Sequence, residues 1–544
     1  MRAISKLLPL GLIFGLVFGL GFVGTTRAQG TQMACPPRPE PGTELKAEPS
    51  IMSLNGVLNV SLTMRYLLDT QNFPHYCLDS SGNGLGFVES PTLYLNPGDQ
   101  LNMDLTNDLP LPSGDAQAAA MTGDMTPTTT APGSDAGCNG HMSAVATNMH
   151  FHGLNVPPVC HQDDVLNTLL QPGDPTFHYN ITIPSTDAPG LFWYHPHPHG
   201  EATAQVNGGA AGAIVIEGME KVRPEVAGLT ERVLMLRQEF PKTPTWVPGP
   251  YSLTLNFQPA ITPGAAPPII TMKLGSQEFW RFCNATSQGF LNLQVLYDEV
   301  PQNLKIIAID GVPLTTPMTE STIPVPPAGR VEFIVAAPTA GQTAMFNDIG
   351  TATGAVGNFN GFQELATIQT STKANGNLRE MPAAHGVLGP QRFANLINQT
   401  VTTSRNLYFS EAASGTNGPT KYYITEAGQV PHTFTMDEPP AIKTTVGAVE
   451  DWTIENRAQE DHAFHIHQIH FLVMEMNGQK VTNPYLSDTI ILPFWSGSGP
   501  YPNVKLRMDF RDPDIAGTFV YHCHVLQHED GGMMSKIEVD PATK

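Results

Sequence analysis

The residues with most capacity for chemistry are histidines, and they fall in four places. His150-Phe151-His152 and His195-Pro196-His197 lie in the first half of the chain. His462-Ala463-Phe464-His465-Ile466-His467 and His522-Cys523-His524 lie near its end. One His-x-His on a strand puts two imidazoles on one face, often with no metal between them. Four such pairs supply eight imidazoles, enough for a multinuclear metal cluster where two parts of the chain meet.

Strand parity separates a second set. If residues 522–524 are extended, His522 and His524 share a face and Cys523 points the other way. His465 and His467 likewise share a face, and His462, three residues earlier, points opposite. His462 can therefore meet Cys523 on one side while His465, His467, His522 and His524 meet on the other. His528 and Met533 follow Cys523 by five and ten residues and can loop back to it. Two His, one Cys and one Met form the ligand set of a blue-copper electron-transfer site. Zinc would accept His and Cys but would not usually choose Met.

Two repeats indicate what must position these residues. Gly98–Asn107, Gly275–Asn284 and Gly447–Asn456 each open on Gly and close on Asn nine residues later. Each carries large apolar residues five and seven places after the Gly: Met103 and Leu105, Trp280 and Phe282, Trp452 and Ile454. That spacing is a strand with one buried face. Three copies, 177 and 172 residues apart, predict three related β-domains. Gly190–His197 and Gly517–His524 share the pattern Gly-x-Phe-x-Tyr-His-x-His, and the middle of the chain offers only Gly341–Phe346 as a His-free counterpart. No His occurs between His199 and His385, so the middle domain reads as a spacer without a His-based metal site. The predicted domains are 45–220, 225–375 and 376–544. Residues 111–147, rich in Ala, Thr, Gly, Ser and Pro, read as a flexible insertion.

Composition fits this picture. The 544 residues are too many for one core and suit about three domains. Charged residues are 14%, with 50 Gly and 49 Pro, a balance that favours strands and turns over long helices. Arg2 and Lys6 precede an apolar run from Leu7 to Val23, and Thr26-Arg27-Ala28 follows. Residues 1–28 are read as a cleaved export signal rather than a membrane anchor, which places the protein in the periplasm or outside the cell. The body holds no other long apolar stretch, so no stable membrane insertion is expected after cleavage. The formal charge of −21 becomes −24 without that segment, which argues against nucleic acid as a partner. Six Cys are present, at 35, 77, 138, 160, 283 and 523. Export permits disulfides, but the pairing of the five other than Cys523 stays open.

With these motifs in place, the sequence resembles the three-domain bacterial multicopper oxidases, the group of laccase-like enzymes and copper-efflux oxidases. The resemblance covers nearly all of the chain after residue 28. It implies an all-β fold of three cupredoxin-like Greek-key β-sandwich domains holding four copper ions. Type 1 copper would take His462, Cys523 and His528, with Met533 axial. Type 2 copper would take His150 and His465. One type 3 copper would take His152, His195 and His524, and the other His197, His467 and His522. Asp163, Asp164 and Glu529 occupy positions where related enzymes place proton-relay acids. His199, His470, His75, His141, His161, His178, His385 and His432 are read as ordinary.

The implied activity couples four one-electron oxidations to reduction of dioxygen to water, in a monomer. A phenol or aromatic amine is the first expectation for the donor, Cu(I) or Fe(II) the alternative, and a non-enzymatic copper-binding protein the remote one. Met121, Met125, Met142 and Met149 fall within 29 residues. Chance composition is the simpler account of the three in the insertion; recruitment of Cu(I) by their thioethers is the other.

Overall fold

The computed structural model describes residues 35–36, 38–68, 74–80, 88–110, 137–239, 252–261, 266–373, 378–386, 389, 391–413 and 420–542. Residues 1–28, read above as an export signal, and Met121 and Met125 lie outside them. No helix among the described residues is long and apolar enough to cross a membrane.

The three repeats become three equivalent strands, Gln100–Asn107, Gln277–Ala285 and Ala448–Asn456. Along Gln100–Asn107 half-buried and buried residues alternate at every step, as period-two patterning requires. The opening glycines Gly98, Gly275 and Gly447 have φ of +92°, +75° and +105°, and a Cβ at any of the three would meet nothing within 4 Å. Backbone conformation, not lack of space, therefore demands glycine there. The closing asparagines also act alike. Asn107, Asn284 and Asn456 accept from the backbone N–H two residues on, and donate to carbonyls of neighbouring segments. Each repeat strand pairs in parallel with the strand that opens its sheet: Val57–Leu68, Thr230–Glu239 and Thr403–Ala413.

Around these strands lie three pairs of sheets, four- and five-stranded, seven- and six-stranded, and seven- and five-stranded in chain order. Each pair closes over its own apolar cluster. Met103, Leu105, Phe151 and Phe192 belong to the first, Trp280, Phe282 and Phe346 to the second, Trp452, Phe464 and Tyr521 to the third. The architecture is all-β, as the repeats imply, and cupredoxin-like, as the resemblance implies.

The metal motifs sit on paired strands in the first and third sandwiches. His150–His152 runs antiparallel to Gly190–His195, with His150 opposite His195. His462–Ile466 runs antiparallel to Gly517–Cys523, with His465 opposite His522 and Phe464 opposite Cys523. The same motif pair is thus used twice. Disulfides join Cys35 to Cys77 and Cys138 to Cys160, and Cys283 and Cys523 are free and buried. The Cys138–Cys160 bridge, with Thr147 paired to Leu170, anchors the end of the 111–147 segment that the sequence presents as flexible throughout.

Candidate metal centre

Cys523 ends its strand with its sulfur in the core of the third sandwich. Sγ lies 3.5 Å from His462 Nδ1 and 3.8 Å from His528 Nδ1, and the two Nδ1 atoms are 3.2 Å apart. All three residues are buried. His528 arrives on the short helix Leu526–Asp530, which turns the chain back after Cys523. Met533 is fully buried in the same apolar cluster as Cys523, and its backbone carbonyl accepts from Cys523 N at 3.0 Å. Met534 instead faces Val165 and Phe434, so the offset of ten residues selects the methionine on the Cys523 side. Burial pushes the Cys523 thiol far up and holds His528 well below its ordinary value. A soft cation suits this set, with Cys523 giving up its proton to bind as thiolate beside the two neutral imidazoles.

The other eight histidines form one cluster between the first and third sandwiches, each at most 2% exposed. His150 stacks on His467 with ring centroids 3.8 Å apart, and His152 on His465 at 3.9 Å. Burial holds the rings of His150, His152, His195, His465, His467 and His524 well below the usual imidazole range, and His522 at about 4. They are neutral, the form that binds metal.

Their partners fix which nitrogen is left over. Carbonyl and carboxylate oxygens only accept, so the ring nitrogen facing them carries the proton. His150 Nδ1 donates to Asp163, His195 Nδ1 to Pro196 O, His465 Nδ1 to Asp488 O and His522 Nδ1 to Cys523 O. The Nε2 atoms of His150, His195 and His465 are then buried lone pairs with no partner. His152 is reversed: Nε2 faces Asp488 Oδ1 at 3.2 Å, leaving Nδ1 as the orphan. His522 Nε2 stands 3.2 Å from both His197 Nε2 and His467 Nε2. The candidate ligand atoms of His197, His467 and His522 lie within 4.8 Å of one another, as do those of His150, His152 and His195. Neutral lone pairs crowded in a buried site fit cations between them.

The acids divide unequally. Asp163 is fully buried, bonds His150 and Phe151 N, and accepts from Gln468 Nε2 at 2.5 Å. Burial pushes it up to about 7. Glu529 lies 3.1 Å from His522 Nδ1 and 3.5 Å from His197 Nε2, and burial pushes it, too, up to about 7. Asp164 instead bonds Asn167, so the fold brings Asp163 to the cluster and not its neighbour.

Sequence reasoning misses three acids. Asp488 faces His152 and His470 and is clamped by Arg330 of the middle sandwich, whose Nη1 donates to Oδ1 at 2.8 Å. Burial alone would raise Asp488, but Arg330 prevails and holds it at about 2. The middle sandwich carries no histidine, yet it braces the cluster and is more than a spacer. At the other site, Glu411 Oε1 lies 3.1 Å from His462 Nε2 and Glu460 Oε1 lies 3.2 Å from His528 Nε2. The two glutamates also bond each other; burial and Glu411 raise Glu460 to about 9. Glu460 could have been noticed two residues before His462. Glu411 and Asp488 have no local signal. His470 faces away from the cluster, as its spacing from His467 implies.

A three-sandwich fold with a Cys-His-His-Met pocket beside an eight-histidine cluster defines a copper oxidoreductase. Three family models, each described as multicopper oxidase, match residues 139–221, 193–373 and 413–543, together more than half of the chain. The chain belongs to the multicopper oxidases, copper-dependent enzymes with dioxygen as acceptor. The multicopper oxidase mco of Staphylococcus haemolyticus is 23% identical over 411 residues, 72% of this chain and 76% of that protein. A multicopper oxidase from Campylobacter jejuni, described as a metallo-oxidase, aligns with a TM-score of 0.66 at 23% identity, covering 94% of this chain and 98% of that one. McoA of Aquifex aeolicus aligns at 0.64 and 18% identity, covering 93% and 100%. At these identities the solved structures bear on fold alone.

Proposed function

We propose that this oxidase holds four coppers and reduces dioxygen to two waters with electrons taken singly from a low-valent metal ion. His462, Cys523, His528 and Met533 hold the type 1 ion, and His150 and His465 the type 2 ion. His152, His195 and His524 hold one type 3 ion, and His197, His467 and His522 the other. Bound copper supplies reversible one-electron chemistry that no side chain here provides. The observation that carries the reading is the placement of Cys523: its sulfur lies in the pocket while its covalent neighbours His522 and His524 lie in the cluster. One strand end thus connects the site of electron entry to the site of electron use. Asp163 and Glu529, near neutral pKa and against cluster histidines, hold protons for dioxygen. The three functional units span 45–220, 225–375 and 376–544, in an exported monomer with residues 1–28 as its signal.

The choice of donor rests on Glu411 and Glu460. Both carboxylates approach the outer nitrogens of the type 1 histidines, and their side chains are 13% and 14% exposed. Glu460, raised to about 9, keeps its proton near neutral pH, so the pair carries one negative charge, and a partly open entrance of that charge suits a cation. A phenolic donor is the second reading, favoured by Tyr422, half-buried and stacked on the His528 ring at 4.2 Å, a platform on which an aromatic could lie. Oxygen consumption with Cu(I), Fe(II) and a phenol decides. Glu411→Gln with Glu460→Gln should raise KM for the metal ions at least tenfold and leave the phenol rate unchanged. Equal loss on all donors would reject an ion-binding role.

A further inference from the structure

A cavity of about 440 Å³ opens where residues of all three sandwiches meet, lined by none of the candidate metal ligands. Its wall takes Phe192 from the first, Leu314 from the second, and Arg392, Leu396 and His470 from the third, with Arg223 from the stretch joining the first two. The lining contains two arginines and one histidine and no acid. Asp187 and Asp512 stand behind Arg392, outside the wall, so the surface facing the cavity is basic and favours an anion.

Two lining side chains have unmet bonding capacity. The Arg392 side chain is 5% exposed. Its Nη1 donates to Asn155 O at 2.7 Å and stands 3.9 Å from Asp187, its Nε is 3.4 Å from Asp512, and Nη2 makes no hydrogen bond. His470 is fully buried. Its Nε2 donates to Asp310 O at 2.8 Å, so its Nδ1 is a lone pair, and this too has no partner. A buried donor or acceptor left unmade costs about 1–3 kcal/mol, so each such group calls for an occupant or a water. The rest of the wall is largely aliphatic and aromatic. The volume lies in the range of small-molecule sites, about 300–1,000 Å³, which combine an apolar body with a few placed polar groups.

We infer that this cavity binds a small organic carboxylate: the apolar body against Leu314, Leu396 and Phe192, the carboxylate on Arg392 and Arg223. The inference does not depend on the choice of donor. His470 also stands 3.4 Å from Asp488 Oδ2, and Asp488 faces His152, so an occupant sits two side chains from the histidine cluster.

The test is calorimetric titration of the copper-loaded full chain with benzoate, and with benzylamine as a cation of the same size. Benzoate should bind once per chain and benzylamine should not. Arg392→Gln should weaken benzoate at least tenfold. Arg392 also braces Asp512 and Asn155, so Thr315→Trp, at an exposed position on the cavity wall, provides a variant that spares those contacts. It should abolish binding by filling the space. Benzoate that binds no better than benzylamine, that does not bind, or that binds Thr315→Trp as it binds the wild type would overturn the inference. That last result would also assign the binding to another place, such as the type 1 entrance.

Discussion

Asp488→Asn tests whether the middle sandwich holds the cluster together. Asp488 and Arg330 are both fully buried, and the guanidinium takes both carboxylate oxygens. Asp488 sits at about 2 against an ordinary 3.8. At about 1.4 kcal/mol per unit this linkage is worth on the order of 2–3 kcal/mol at neutral pH. Breaking a buried pair by removing one partner costs about 3–5 kcal/mol. The lower figure is the better guide, because Arg330 keeps Asp310 at 3.5 Å and bonds to Ala328 O and Asp310 O. For a cooperative unit of 150–250 residues, this corresponds to an apparent Tm lower by about 5–10 °C.

The sign with pH follows from the depressed pKa. The stabilisation is complete above the unfolded value near 4 and is lost as pH falls through about 2. Wild type and variant should therefore differ fully at pH 7 and converge in strong acid. Scanning calorimetry of wild type, Asp488→Asn, Arg330→Met and the double variant measures the coupling. The double variant should be less damaged than the two single losses added together, by about 2 kcal/mol. Its copper should also be easier to remove by chelator, since His152 loses the partner that orients it. Strict additivity, or an unchanged Tm in Asp488→Asn, would refute the argument.

Further outcomes are expected at the metal sites. Cys523→Ser should abolish the intense blue colour and the oxidase activity while the cluster coppers remain, checked by absorbance and copper counting; a fully loaded but colourless wild type would contradict the assignment. Met533→Leu removes a thioether donor and should raise the type 1 potential in a redox titration; a fall would exclude Met533 as ligand. Asp163→Asn should slow reoxidation by dioxygen at least tenfold while type 1 reduction stays unchanged in stopped flow. Asp164→Asn, whose carboxylate faces Asn167, should change neither step.

Much of this protein is legible in one dimension because the informative features are local. The strand period gives the alternation of buried and exposed residues, and parity alone puts Cys523 and His462 on one side and four histidines on the other. The Gly-to-Asn repeat gives three sandwiches, because a left-handed glycine and an asparagine that bonds the adjoining loop are needed each time that strand recurs. What sequence cannot weigh is contact between residues far apart in the chain. Arg330 and Asp488 are 158 residues apart, and Glu411 meets His462 from a strand that carries no motif. Asp163 and Asp164 are equivalent as letters, and only the turn between His152 and Phe177 decides which carboxylate enters the cluster. The sequence by itself determined the kinds of candidate ligand and the faces they occupy, since both follow from residue chemistry and backbone period. The tertiary structure decided which acids stand behind them, because burial and the meeting of three sandwiches set those partners and their charges.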